Sequence, residues 1–159
     1  MLCALRPDDP SYAALPLDDA SVDARLRYMI PCWPILDPFA RYAFAKETGR
    51  QDLITRTNGY FPNPDDMKVG NPQLILERGE FQELPPVLLI QGTADTNLSM
   101  AMSEKFVETY REKGGEARLE QFPSMPHNFM SEPRPETDRG IALMLDFIWS
   151  QVAAVTPSK

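Results

Sequence analysis

The clearest pattern in the chain lies beyond residue 85, where the spacing of apolar positions switches between the period of a strand and that of a helix. Val87-Leu88-Leu89-Ile90 is an unbroken apolar run between Pro86 and Gly92, which reads as a strand that stops at the glycine. A helical pattern follows over residues 99–113 and stops at Gly114-Gly115, and residues 117–122 read as a second strand. Over residues 135–152, Ile141, Met144, Leu145, Ile148 and Val152 recur at helical spacing, which predicts a helix laying that stripe on the sheet. Strand, helix, strand, helix in this order implies right-handed crossovers and a parallel sheet.

Before residue 85 the pattern is shorter and broken by proline. Met1 to Leu5 is apolar and helix-compatible until Pro7, residues 11–23 read as a polar loop, and residues 26–32 give a third short strand closed by Pro31 and Pro34. Asp37-Pro38 pairs an N-cap with a proline at the first helical position, so a helix should start there, carry Phe39, Tyr42 and Ala43 on one face and end near Gly49. The same signal recurs at Asn63-Pro64 and Asn71-Pro72, with Gly70 and Gly79 as stops. Residues 38–80 therefore read as a helical insertion, and connections such as Tyr60-Phe61-Pro62 suit a lid or pocket wall.

Composition narrows the partners. A chain of 159 residues with 43% hydrophobic content is one domain of ordinary size, residues 1–159. Sixteen basic against 23 acidic residues leave a net charge of −7, which repels nucleic-acid backbones and anionic lipid. A small neutral or cationic molecule is the easier partner. The two cysteines, Cys3 and Cys32, lack metal-ligand spacing and read as reduced, buried thiols, and neither a metal nor a cofactor is expected. Neither a secretory leader nor a membrane span is readable, so the expected location is the cytoplasm.

Candidate chemistry sits at the ends of the two regular strands. Asp95 follows the first, in Gln91-Gly92-Thr93-Ala94-Asp95-Thr96-Asn97, and His127, the one histidine of the chain, follows the second in Pro123-Ser124-Met125-Pro126-His127-Asn128-Phe129. In open parallel sheets reactive groups collect in the loops at the carboxyl ends of strands. A carboxylate that orients an imidazole is what acyl transfer by a serine requires. Asp95 can also simply shape a turn, and His127 can be a loop residue. Trp33, Phe61, Met125 and Phe129 are candidates for lining an acyl pocket, against the ordinary reading that they pack the core.

These stretches resemble the α/β-hydrolase superfamily, most closely its esterase and lipase branch related to hormone-sensitive lipase. The residues that carry the resemblance run from Leu84-Pro85-Pro86 through Asp95-Thr96-Asn97, with Ser103-Glu104-Lys105-Phe106, Gly114-Gly115 and residues 122–129. It extends back, more weakly, through Asn71-Pro72 and Cys32-Trp33-Pro34-Ile35-Leu36-Asp37-Pro38 to Arg6-Pro7-Asp8-Asp9-Pro10. The resemblance implies an α/β fold of about three parallel strands flanked by helices with a lid-like insertion, Asp95 as triad acid and His127 as general base. Relatives often carry glycine where Asn128 stands and histidine where Gln91 stands.

The family's nucleophile belongs in Gly-x-Ser-x-Gly, with an oxyanion hole built partly by an earlier glycine-rich loop. Neither motif occurs in the 159 residues, and Ser99, Ser103 and Ser124 read as cap and loop residues. Met1 to Leu5 resembles the helix that runs on from the nucleophile turn. The expectation is a carboxyl-terminal half of a carboxylic-ester hydrolase, inactive alone, with an open strand edge that invites self-association. The alternative is a non-catalytic, truncated binding or assembly module.

Overall fold

The computed structural model describes residues 1–12 and 25–153, so most of the expected 11–23 loop lies outside the described residues. In chain order the elements are α1 (Leu2–Leu5), α2 (Pro38–Glu47), α3 (Gln51–Tyr60), α4 (Asp66–Val69), α5 (Pro72–Arg78), β1 (Val87–Gly92), α6 (Met100–Glu112), β2 (Ala117–Phe122), a 3₁₀ turn (Phe129–Ser131) and α7 (Pro135–Ala153). β1 and β2 pair in parallel from Val87 opposite Ala117 to Gly92 opposite Phe122.

The third strand is present only as a broken ladder. Residues 29–33 run parallel to β1 through bridges at Met29–Val87 and Cys32–Ile90. Met29 N–H donates to Pro86, Trp33 N–H to Ile90, and the carbonyls of Met29 and Pro31 accept from Leu88 and Ile90. The donor due from residue 31 is missing because proline has no N–H, and regular pairing lapses there.

Every position of β1 is buried, which explains its continuous apolar run. Its side chains alternate between two layers. Val87 and Leu89 join Leu5, Ile75, Leu76, Phe106 and Tyr110 from α1, α5 and α6, and Leu88 and Ile90 join Phe122, Phe129 and Phe147 on the α7 side. Tyr110 anchors the first layer by donating its hydroxyl to the Pro85 carbonyl at 2.7 Å.

Two of the three expected helix starts hold, at Asp37-Pro38 and Asn71-Pro72, and are joined to each other; Asn63-Pro64 lies in a turn, and α4 starts only at Asp66. Asp37 accepts from Ala40 N–H at 2.9 Å as the cap of α2 and also from Asn71 Nδ2 at 2.8 Å, while Asn71 caps α5 through Leu74 N–H at 3.0 Å. Two faces differ from expectation. On α2 it is Pro38 and Ala45 that are buried, with Phe39 and Ala43 exposed. On α7 the buried positions are Thr137, Gly140 and Phe147, and Ile141 (47%), Leu145 (49%), Trp149 (67%) and Val152 (46%) stand in solvent.

α7 is apolar around most of its circumference, so helical spacing alone does not choose the inward face. The inward face is the one that buries Phe147 in the core and sets Gly140 against the end of the Met130 side chain. Cys3 is also exposed, a correction to the expectation of two buried thiols; Cys32 is half-buried, and burial pushes its thiol pKa up.

The parallel register brings the chain out of β1 and β2 side by side. Thr93 N–H donates to the Phe122 carbonyl at 2.9 Å, Ala94 N–H to the Met125 carbonyl at 3.0 Å, and Ser124 N–H to Thr93 Oγ1 at 2.8 Å. The approach requires glycine at residue 92, because a Cβ there would overlap the Met125 carbonyl, 2.6 Å from its carbon.

Truncating Phe147 to alanine should cost about 3–5 kcal/mol of unfolding free energy, the usual range for a buried phenylalanine, whereas Leu145→Ala should cost under about 1 kcal/mol. Urea unfolding followed by circular dichroism measures both, and equal losses would contradict the rotation of α7. Gly92→Ala should destabilise by about 1–3 kcal/mol, typical of forced overpacking. It should also shift the amide resonances of residues 122–127 in nitrogen–proton spectra, and unchanged spectra would mean that the loops do not meet there.

Candidate active site

Asp95 and His127 meet across the two stitched loops. Asp95 folds its own loop into a turn, with Oδ1 accepting from Asn97 N–H at 2.8 Å and Leu98 N–H at 3.1 Å. Oδ2 lies 2.8 Å from His127 Nδ1. The Asp95 side chain is fully buried and that of His127 is 30% exposed. A carboxylate can only accept, so the contact assigns the ring proton to Nδ1. Nε2 is left as the basic lone pair, with no partner among the described residues.

The histidine loop holds this geometry with two left-handed residues, Ser124 (φ 60°) and Asn128 (φ 65°). Asparagine tolerates that conformation, which accounts for Asn128 where a glycine is common in relatives. Trp33 also has positive φ (40°), an uncommon state for a bulky residue. Its backbone is pinned by the bond to Ile90, and its ring lies edge-on to His127 at 6.1 Å and to Phe129 at 5.7 Å.

Of the four candidate lining residues, Trp33 and Met125 are half-buried beside the His127 loop. Phe129 is 2% exposed and stacks on Phe122 at 4.8 Å, inside the core. Phe61 sits elsewhere, on a cavity of about 440 Å³ between the helices of residues 35–70.

Two supporting groups carry little signal in the sequence. Gln91 is fully buried at the end of β1, where its Nε2 donates to the Leu98 carbonyl at 3.2 Å and its Oε1 accepts from the Ser103 hydroxyl. It thereby ties the end of the Asp95 turn to α6. A single polar residue closing an apolar run is the only hint of this. Arg50, between α2 and α3, reaches the same turn through the Thr96 carbonyl and hydroxyl at 3.0 and 3.1 Å and Asn97 Oδ1 at 3.0 Å.

Arg50 also forks onto Asp52 at 3.0 and 2.9 Å. That hydrogen bond holds the Asp52 carboxyl down at about 2, and with Asp95 nearby it raises the Arg50 guanidinium. No group of three or more potential metal ligands occurs among the described residues.

Among solved structures, the chain is similar to esterase 2 of Thermogutta terrifontis with propionate bound: 20% identity, TM-score 0.64, 99% of this chain and 53% of that one. The same esterase phosphonylated by sarin matches at 20% identity and TM-score 0.63 over 91% of this chain and 50% of that one. Carboxyl esterase 2 of the fungus Tuber melanosporum matches at 18% and 0.51 over 65% and 36%. The chain thus spans about half the length of the first solved structures it matches. The likeness is one of fold, and it matches the parallel strands and their helices to part of an α/β-hydrolase fold. No curated protein matches. The sequence model described as the prolyl oligopeptidase family covers residues 47–154, from the end of α2 through α7 and across both stitched loops. That span is well over half of the chain, and the chain belongs to the prolyl oligopeptidase family.

Proposed function

We propose that Asp95 and His127 are the acid and general base of a serine hydrolase acting on small carboxylic esters, whose nucleophile and oxyanion hole come from residues outside these 159. The observation that carries the reading is the 2.8 Å bond between a fully buried carboxylate and Nδ1 of a partly exposed imidazole. In this mechanism Nε2 takes the proton of the serine hydroxyl as its oxygen attacks the ester carbonyl. The imidazolium, stabilised by Asp95, then gives that proton to the departing alkoxide. Water, deprotonated by the same Nε2, releases the acid from the acyl-enzyme.

Trp33 and Met125 border the acyl side in this proposal, and the helices of residues 38–80 form its lid. The esterases of similar fold and the resemblance to relatives of hormone-sensitive lipase support an ester as substrate. The family match favours a second reading, a peptide amide, served by the same acid and base. Matched nitrophenyl ester and nitroanilide substrates separate the two by their ratio of kcat/KM. The outer side of residues 29–33 makes no backbone hydrogen bond among the described residues, and we place the completing chain there in preference to a second copy.

In the protein completed by a Gly-x-Ser-x-Gly segment, Asp95→Asn should lower kcat by about 10⁴ and His127→Ala by at least about 10³, with p-nitrophenyl acetate as substrate. A completed His127→Ala enzyme working at the parent rate would sink the assignment. The 159-residue chain alone should hydrolyse this ester no faster than its His127→Ala form. Faster turnover, or labelling of one of its serines by a fluorophosphonate, would locate a nucleophile within these residues. Because His127 is the one histidine, its ring nitrogens give a single pair of ¹⁵N resonances. These should report a proton on Nδ1 that Asp95→Ala releases; an Nε2-protonated ring in the parent would contradict the Asp95 contact.

A further inference from the structure

The helices of residues 35–70 enclose a second feature that the acid–base pair does not use. Their cavity of about 440 Å³ is lined by Arg41 and Arg56 together with Thr57, Ile35, Tyr60 and Phe61, and no aspartate or glutamate lines it. Neither arginine makes an ion pair among the described residues. The nearby acids are engaged elsewhere: Asp52 with Arg50, Asp95 with His127 and its own turn, Asp37 with the caps of α2 and α5.

Arg41 is half-buried, and among the described residues the one hydrogen bond of its guanidinium is a 3.4 Å contact from Nη1 to Thr57 Oγ1. Thr57 is itself buried and fixed by donating to the Leu53 carbonyl at 2.7 Å. The Arg41 Nε is buried with no partner among the described residues. Burial first, then Arg50 and Arg56, push the Arg41 guanidinium below its ordinary value, against the opposing pull of Asp52 and Asp95.

Two guanidinium groups thus face one cavity with no carboxylate on its lining and no ion pair among the described residues, in a chain whose net charge is −7. A planar carboxylate is the group that the arginine fork matches. The rest of the lining is apolar and aromatic, with Tyr60 79% exposed and edge-on to Phe61 at 4.7 Å. We infer that this cavity binds an organic carboxylate, its charged end between Arg41 and Arg56 and its apolar or aromatic body against Ile35, Tyr60 and Phe61.

Phenylacetate and its uncharged isostere phenylacetamide test this on the 159-residue chain by nitrogen–proton titration. Phenylacetate should saturate with a Kd on the order of a millimolar, as suits so small a ligand, and shift amides within residues 35–70. Phenylacetamide should bind at least about tenfold more weakly, and Arg41→Gln and Arg56→Gln should each weaken phenylacetate by about fivefold or more. Arg56 is exposed, so its variant keeps the test valid even if Arg41→Gln unfolds. Equal binding of acid and amide, unaltered affinity in Arg56→Gln, or shifts confined to other residues would each overturn the inference. His127→Gln should leave phenylacetate binding intact. Loss of hydrolysis therefore tests the acid–base pair, and loss of carboxylate binding tests this cavity.

Discussion

The arrangement depends on how closely two loops approach at the carboxyl ends of β1 and β2. Parallel pairing sets Gly92 beside Phe122, and the Met125 carbonyl then occupies the space that a side chain at residue 92 would fill. The backbone bonds that follow, Thr93 to Phe122 and Ala94 to Met125, convert a strand register into a fixed relation between two loops. Only with that relation fixed can Oδ2 of Asp95 meet Nδ1 of His127 at 2.8 Å. Productive geometry at such a site tolerates errors well below an ångström. Here the tolerance is set by main chain rather than by mobile side chains.

Burying a carboxylate is costly unless its lone pairs are used. Asp95 meets that cost with two amides of its own turn and the imidazole, while the turn is held from below by Gln91 and from the side by Arg50. The acid is thus supported by the sheet, by α6 and by the helical layer together.

What could be read from the residues was local. β1 and β2, the proline-marked starts of α2 and α5, and the glycine stops depend on interactions within a few residues, so their signals survive in the sequence. The pairing of Asp95 with His127 was legible because both follow strands that must be neighbours. The inward face of α7 was not, since it follows from how Phe147 packs with Leu88, Ile90, Phe122 and Phe129 across the fold. Pro31 announces the end of a strand, yet its segment continues beside β1 with one hydrogen bond missing. Phe61 and Trp33, alike in the sequence as candidates for a pocket wall or the core, lie on different features because α2 and α3 separate their segments. Arg50 left no trace, because a clamp between two distant loops has no periodicity.

The five N–H donors of Arg50 are matched one for one: two by Asp52, two by Thr96 and one by Asn97. A lysine could carry the charge there but not the fork. Since none of its donors is left over, Arg50 has nothing to offer an anion arriving from solution, although it stands beside the acid turn and carries a full positive charge. Its neighbour Arg41 is in the opposite position, charged and largely unspent. The fold therefore sorts like charges by whether their donors are already committed, those of Arg50 to the Asp95 turn and Asp52, those of Arg41 to one threonine hydroxyl.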